Sequence, residues 1–388
     1  MNQAPDDLIA PKTIGVEIEL LAPVGSDRKQ LALAIADAIG GRIEAFFHLD
    51  SEPSKVKGKP IFYHLTQAYK VYDASGNPLL SCVDDITLQE TLEKSKQAKP
   101  GWYRILSDDV RLLRLITQQS NASDPIDSVL GRVASLFGVA AEAAAGGVYR
   151  VTDETGASIA LAAPLPGERE RPCEVVTSLL PSNKTDCIGD YLKIADQLSF
   201  SLPKEGATHL HFDGVAFDNS LAFVHVARFL HEYRLVLRRL LGTNLNCRRL
   251  GDWPHDFISI LQEPDLERLG WDDLKLRLAN TKINKYCDFN VRNLIFPTPN
   301  KHTLEVRILP STLDGEYVQR AIRLFMAVFQ YVSTQGSLGY QPMKLPEVSS
   351  MHLLLEKLDL TIADRAIWEE TFNRNYEAST LVQESVES

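Results

Sequence analysis

The clearest pattern in the chain is the stretch KHTLEVRILPSTLD at residues 301–314. Between residues 303 and 309, apolar and polar side chains alternate strictly, which predicts a β-strand with one face in a core. The polar face carries Glu305 and Arg307. An acid and a base two positions apart on one strand are also compatible with an ordinary exposed ion pair, so this pattern alone leaves the role of the pair open.

Three other segments repeat this arrangement of an apolar face and a chemically selective polar face. Their polar positions are Glu17 and Glu19 in residues 13–21, Glu174 at the start of the strand in residues 173–180, and His209, His211 and Asp213 in residues 208–214. Taken singly, the first pair also fits an exposed strand face, and the two histidines also fit a hydrogen-bonded sheet rim. Together the segments predict one sheet surface that is rich in carboxylate and imidazole groups.

Carboxylates a few ångströms apart in a sheltered site resist joint ionisation, so this surface needs compensating positive charge. Divalent cations supply that charge, and oxygen-rich ligation with a neutral histidine suits Mg²⁺ or Mn²⁺. Arg307 beside such ions would bind a phosphoryl group, because guanidinium meets phosphate in a bidentate way. The chain contains no P-loop, dinucleotide-binding, zincin or α/β-hydrolase motif. The pattern therefore predicts a metal–nucleotide site on a sheet.

Strand and helix patterns alternate irregularly along the chain, which favours an α+β fold. We expect a flexible tail at residues 1–12 and a single catalytic domain at 13–340. Within that domain, residues from about 90 to 147 have a helical pattern and are predicted to form an insertion. Residues 341–388 are predicted to form a helical extension with a disordered end. The loops at 167–172 and 244–253 are candidate lids.

The formal net charge of −10 argues against nucleic acid as the main partner. No stretch is apolar enough for a membrane span, and the acidic, polar beginning of the chain is unlike a signal peptide. Five scattered cysteines without a C-x-x-C motif are typical of free thiols in a reducing compartment. We therefore expect a cytoplasmic protein that binds neither nucleic acid nor membrane.

In chain order, five motifs resemble those of the amidoligase family, the carboxylate–amine ligases related to glutamine synthetase and glutamate–cysteine ligase. The motifs are GVEIEL (15–20), EVVTSLL (174–180), HLHFDG (209–214), NKYCDFNVRNL (284–294) and TLEVRILPSTLD (303–314). The resemblance covers most of residues 13–335 and is weakest between about 25 and 170. It implies a curved antiparallel β-sheet funnel flanked by helices, as in the catalytic domain of glutamine synthetase, with ATP and metal ions in its concave side.

The resemblance also implies roles for individual residues. The implied metal ligands are Glu17, Glu19, Glu174, His209 and Glu305. The residues implied to contact ATP or the transferring phosphoryl group are His211, Asn290, Asn293 and Arg307, of which His211 and Arg307 join Glu305 as the catalytic set. The family commonly follows its third glutamate with Ser-Pro-Pro, whereas this chain reads Thr-Ser-Leu-Leu at 177–180. That departure leaves the identity of the substrate open.

The implied reaction activates a substrate carboxylate with the γ-phosphate of ATP and then transfers the acyl group to an amine. Arg248 and Arg249 could receive a substrate carboxylate, and Asp213 is a candidate base. An amino acid, a polyamine or a peptide could be the substrate, and the sequence specifies no oligomeric state. Two alternatives stay open: a phosphotransferase of the guanidino-kinase type, and a non-catalytic binding protein with a ligase-like fold.

Overall fold

A computed structural model describes residues 10–50, 61–96, 99–153, 155–156, 158–165, 167–298, 301–334 and 346–387. The strands are β1 (Thr13–Leu21), β2 (Arg42–Leu49), β3 (Tyr63–Tyr72), β4 (Pro78–Val83), β5 (Tyr103–Ser107), β6 (Glu142–Ala144), β7 (Val148–Thr152), β8 (Ser158–Pro164), β9 (Pro172–Thr177), β10 (Leu180–Pro181), β11 (Ala207–Asp213), β12 (Phe289–Asn290) and β13 (Thr303–Pro310). The α-helices are α1 (Arg28–Ala38), α2 (Val110–Gln119), α3 (Ile126–Leu136), α4 (Cys187–Gln197), α5 (Ser220–Glu232), α6 (Arg234–Leu241), α7 (His255–Leu261), α8 (Trp271–Ala279), α9 (Arg292–Ile295), α10 (Gly315–Thr334), α11 (Glu347–Lys357) and α12 (Ile362–Glu387).

The prediction of an α+β fold with a large antiparallel sheet is confirmed. The chain divides into two compact units, which β1 links by starting in one and ending in the other. The first unit consists of Met1–Glu17, Leu179–Asp190 and Glu205–Ser388, and the second of Ile18–Ser178 and Tyr191–Lys204.

In the first unit the strand order is β12-β13-β11-β1, and β10 pairs with β1. The antiparallel register places His211 of β11 opposite Glu305 of β13. On the other side of β13, Asn290 of β12 lies opposite the same glutamate. Directly opposed residues have neighbouring side chains, so Glu305 is flanked by an imidazole and an amide.

Alternation along these strands gives the sheet its apolar face. Leu210 and Phe212 of β11 are fully buried, as are Val306 and Ile308 of β13. Phe212 packs edge-on against Phe329 of α10, with ring centroids 5.0 Å apart. The apolar face is therefore covered by α10, which leaves the opposite face for the polar residues.

In the second unit the strand order is β1-β9-β4-β3-β5-β8-β7-β6, and β2 pairs with β3. One face of this sheet packs against α2 and α3. The core between them contains Leu65 and Ile105 of the sheet, Leu113 and Ile116 of α2, and Val129, Leu130 and Val133 of α3. Helices thus cover one face around the β3–β5 pair.

The segment that the sequence predicts to be a helical insertion contains α2 and α3, and the structure differs there by including β5 and β6. Residues Tyr103–Ser107 form a strand because they pair with β3 and with β8.

Helix α12 continues to Glu387, where the sequence suggested a disordered end. The tail prediction falls mainly on residues 1–9, which lie outside the described residues. No described helix is long and apolar enough to cross a membrane.

The second unit contains a cationic side chain that is completely enclosed, that of Arg28. Its guanidinium lies 4.6 Å from the ring centroid of Trp102. It donates hydrogen bonds of 2.9–3.2 Å to the carbonyl oxygens of Gln67, Arg169, Glu170 and Pro172. These hydrogen bonds compensate most of the cost of burying the charge, and they hold the chain around residue 170 in one conformation.

The candidate lid at residues 167–172 is part of this buried network. Arg171 forms an ion pair with Glu168, and Lys96 reaches the same carboxylate at 2.6 Å. Arg169 forms an ion pair with the buried Asp84. Opening this loop would separate several sheltered charges at high cost, so the structure does not support it as a lid.

Two glycines of the first unit, Gly189 and Gly315, lie in close contact. A Cβ atom on Gly315 would lie 2.4 Å from the Cα atom of Gly189. We predict that Gly315→Ala destabilises the protein by about 1–3 kcal/mol, because backbone atoms cannot yield as side chains do. Gly131 in α3 has open space around it, so Gly131→Ala serves as a control that leaves stability equal or raises it. Equal urea midpoints for Gly315→Ala and the wild type would contradict this packing.

Candidate metal and phosphate site

The first unit brings together most of the residues predicted to bind metal and phosphate. Glu17 comes from β1, His209 and His211 from β11, and Glu305 and Arg307 from β13. His209 Nδ1 lies 3.2 Å from Glu17 Oε2 and 3.4 Å from Glu305 Oε1. His211 Nε2 lies 3.3 Å from Glu17 Oε1. Two carboxylates and two imidazoles therefore share one small volume.

The Glu305–Arg307 pair is not an exposed surface ion pair. Glu305 is 5% exposed and Arg307 is 6% exposed, and the guanidinium donates directly to the carboxylate. Both groups lie on the sheet face opposite α10. Because buried charges are costly unless they are compensated, this pair belongs to an organised, sheltered site rather than to a solvated strand face.

The donor set fits a divalent cation. Glu17, His211 and Glu305 each offer a ligand atom, and these three atoms lie within 4.8 Å of one another. The Nε2 atoms of His209 and His211 are buried without a hydrogen-bond partner, although the latter is close to Glu17. Carboxylate oxygens with a neutral imidazole are ligands that Mg²⁺ and Mn²⁺ accept.

The charges in the site keep both carboxylates ionised. Burial raises the pKa of Glu305, but Arg307 and the two histidines outweigh it and lower the pKa to about 2. Burial acts in the same way on Glu17, and His211 and His209 hold its pKa well below the usual value. At neutral pH the site therefore presents two negative charges to a cation.

The two histidines respond in opposite directions. Burial and the charge of Arg307 lower the pKa of His209. Burial also disfavours the charged form of His211, but Glu17 and Glu305 outweigh it and raise its pKa. The surroundings thus favour the neutral form of His209 and the charged form of His211, and a bound metal ion would compete with the proton on His211.

Two hydrogen bonds hold the ligand side chains in place. Asn290 Nδ2 donates to Glu305 Oε2 at 2.7 Å, and Asn290 Oδ1 accepts from the backbone N–H of Arg292. His211 Nδ1 is 3.1 Å from Thr303 Oγ1, which directs Nε2 toward Glu17. Sequence reasoning placed Thr303 on the polar face but gave it no role, and its position two residues before Glu305 was the available signal.

A second support, which sequence reasoning missed, lies behind Arg307. Asp288 is 1% exposed and accepts hydrogen bonds from Arg234 and Arg238 at 2.9 Å. Its backbone carbonyl accepts from the N–H of Arg307 at 3.0 Å. The local sequence contains no pattern that pairs residues about 50 positions apart, so only the folded chain reveals this anchor.

The remaining predicted residues of the first unit surround the site less tightly. Asp213 ends β11 and accepts from the N–H of Val215. Asn293 lies in α9, where its side-chain oxygen accepts from Thr298. The positive charge of Arg249 acts on Arg307, whereas Arg248 is exposed. Their assigned roles stay predictions.

Glu19 and Glu174 belong to the second unit. Glu19 is buried, and Glu174 lies opposite Val83 in the β4–β9 pair. Their predicted roles as metal ligands stay predictions.

Comparison with known proteins identifies a family. The family model described as "Putative amidoligase enzyme" matches residues 10–329. No curated protein matches this chain. Among solved structures, the chain is similar to the Plasmodium falciparum glutamine synthetase, determined by cryo-electron microscopy, at 9% identity and a TM-score of 0.28. That alignment covers 86% of this chain and 54% of the synthetase chain, so the chain spans about half its length. At this TM-score the likeness carries no functional argument.

The donor set makes a direct prediction about metal binding. Glu305→Gln should weaken Mn²⁺ binding by about tenfold or more, because it removes one of two negative charges. Calorimetric titration of the full chain with Mn²⁺ measures this. Glu356→Gln, which changes an exposed glutamate of α11, is the matched control. Equal Mn²⁺ affinities in all three proteins would show that Glu305 is not a ligand.

Proposed function

Because the chain belongs to the amidoligase family, we propose that it is an ATP- and Mg²⁺-dependent carboxylate–amine ligase. The proposed reaction forms an amide or peptide bond through an acyl phosphate. The proposed substrate is an amino acid, a polyamine or a peptide. The observation that carries the proposal is the donor set of half-buried Glu17, half-buried His211 and buried Glu305, with the guanidinium of Arg307 beside it.

The first proposed step is phosphoryl transfer. An oxygen of the substrate carboxylate attacks the γ-phosphorus of ATP, the bond to the bridging oxygen breaks, and ADP leaves. When bound, Mg²⁺ supplies positive charge to the transferring phosphoryl group and to the leaving group. Glu17 and Glu305 would hold the ion, with His211 or His209 as the nitrogen ligand.

Arg307 is proposed to stabilise the phosphoryl group in transit. Its guanidinium remains charged, and Glu305 and the backbone of Asp288 fix its position before substrate arrives. A pre-positioned donor is effective because no reorganisation is needed when charge moves in the transition state. Asn290 and Asn293 are proposed to lie near the nucleotide.

The second proposed step is amide formation. The amine nitrogen attacks the carbonyl carbon of the acyl phosphate, the C–O bond to phosphate breaks, and inorganic phosphate leaves. The amine must lose a proton in this step, and Asp213 is our candidate acceptor. Arg248 and Arg249 are candidates for binding a substrate carboxylate.

The experiment that tests this function follows ADP release from Mg·ATP against pools of amino acids, polyamines and short peptides, with mass spectrometry of each active pool. We expect ADP, phosphate and a product equal to two substrates minus one water. A stable phosphorylated substrate would instead identify a phosphotransferase. No ADP with any pool, together with no binding of Mg·ATP, would reject the ligase and favour a binding protein.

The acyl phosphate can be tested without knowing the amine. ATP labelled with ¹⁸O in the β–γ bridge should scramble its label when the acid alone is present, because reversible transfer lets the β-phosphate of ADP rotate. No scrambling together with normal amide formation would exclude the proposed intermediate.

Arg307→Ala should reduce kcat for ADP release by about 10²–10³-fold, because it removes a donor to the transferring group. Arg268→Ala, an exposed arginine in the same unit, should keep wild-type turnover. The urea midpoint of each variant separates lost catalysis from lost folding. Wild-type kcat in a folded Arg307→Ala protein would refute the role given to this residue.

A further inference from the structure

The sheet of the second unit has a polar patch on the face that α2 and α3 do not cover. Leu65 of β3 and Ile105 of β5 point into the core with those helices. By alternation, His64 and Thr66 of β3 point to the opposite face. Thr66 is directly opposite Arg104 in the β3–β5 pair, so Arg104 shares that face. We refer to His64, Thr66 and Arg104 as the β3–β5 patch.

The register also places Glu174 on this face. Tyr69 lies four residues after Leu65 in β3 and is opposite Cys82 of β4, so both are on the helix-covered face. Val83 therefore points the other way, and Glu174 is opposite Val83. The β3–β5 patch and a predicted metal ligand thus lie on the same face of one sheet.

Arg104 carries a charge that its surroundings leave uncompensated. Among the described residues, its guanidinium makes no hydrogen bond or ion pair, and its Nε is buried without a partner. Burial and the nearby Arg169 lower its pKa, and Asp84 opposes this only partly. Asp84 is itself engaged by Arg169 and lies 3.8 Å from Arg28. Arg104 is half-buried, and a cation whose buried Nε has no partner is suited to an anionic ligand that would pair with it.

The two other residues of the β3–β5 patch supply polar groups but no further charge. The Oγ1 atom of Thr66 is buried without a hydrogen-bond partner, and the residue is 1% exposed. Burial, together with the charges of Arg104 and Arg169, lowers the pKa of His64 to about 4, so its imidazole is neutral at pH 7. The patch therefore suits a group with one negative charge, such as a carboxylate, better than a phosphate with nearly two.

We propose that Arg104, with the hydroxyl of Thr66 beside it, binds a carboxylate group of the acid substrate. The identification of the ligand as a substrate rests on the proposed ligase function, whereas the binding itself does not. Arg104 forms the charged hydrogen bonds to the carboxylate, and Thr66 donates its hydroxyl hydrogen to the same group. The expected acid is a small amino acid or dicarboxylic acid.

The test is calorimetric titration of the full chain with L-glutamate, the other amino acids, succinate, inorganic phosphate and putrescine, with and without a non-hydrolysable Mg·ATP analogue. We expect at least one carboxylate to bind. Arg104→Gln should weaken its binding at least tenfold, and Thr66→Val should weaken it several-fold. Arg150→Gln, which changes an exposed arginine of the same unit, should leave its affinity unchanged. Tighter binding of phosphate than of any carboxylate, or unchanged affinity in folded Arg104→Gln, would overturn the proposal, as would no carboxylate binding at all.

Stability distinguishes a ligand-binding arginine from a structural one. Without ligand, Arg104→Gln should unfold at the same or a higher urea concentration than wild type, because it removes a half-buried charge whose Nε has no hydrogen-bond partner. Arg28→Gln should unfold at a clearly lower concentration, because it removes a guanidinium that makes four hydrogen bonds to carbonyl groups. A loss of stability in Arg104→Gln as large as in Arg28→Gln would show a structural role and overturn the proposal.

The outcomes for the two proposals remain separable. Carboxylate binding that depends on Arg104, in a protein that releases no ADP with any pool, would retain the site and reject the ligase. Ligase turnover with an unchanged KM for the acid in Arg104→Gln would retain the ligase and reject the site.

Discussion

Two ionised carboxylates, the half-buried Glu17 and the buried Glu305, lie together in the first unit, and the surrounding structure supplies the positive charge they need. Arg307 and His211 keep the pKa of Glu305 low, while Asn290 holds one of its oxygens. Without these partners, burial would favour the protonated acids and the site would lose its attraction for a cation. The charge balance of this cluster is thus the constraint that ties strands β1, β11, β12 and β13 to one another.

The backbone behind the cluster also helps to hold these charged groups in place. Asp288 is fixed by Arg234 and Arg238, and its carbonyl holds the backbone of Arg307. Phe212 and the apolar partners of β13 lock the opposite face against α10. A guanidinium that is positioned in advance loses little entropy on meeting a phosphoryl group. The packing on one face and the charges on the other are therefore parts of one arrangement.

The second unit contains one buried and one half-buried guanidinium group, and the two differ in their partners. Arg28 is saturated by carbonyl groups and a tryptophan ring, which makes it a structural centre. Arg104 has no such partners among the described residues, although it is also sheltered. The contrast is informative because buried polar groups are normally satisfied, and the unpaired Nε of Arg104 is the group that the proposed carboxylate would meet.

The sequence by itself determined which residues alternate, and hence that Glu305 and Arg307 share one strand face with a core behind it. It also determined the five motifs on which the family assignment depends. Only the tertiary structure decided that Glu305 stands between His211 and Asn290, because strand register is set by contacts between residues far apart in the chain. The same holds for Arg104: its short strand directly precedes α2, and pairing with β3 and β8 rather than local pattern makes it a strand. Periodicity is local, whereas burial and charge compensation are properties of the assembled fold.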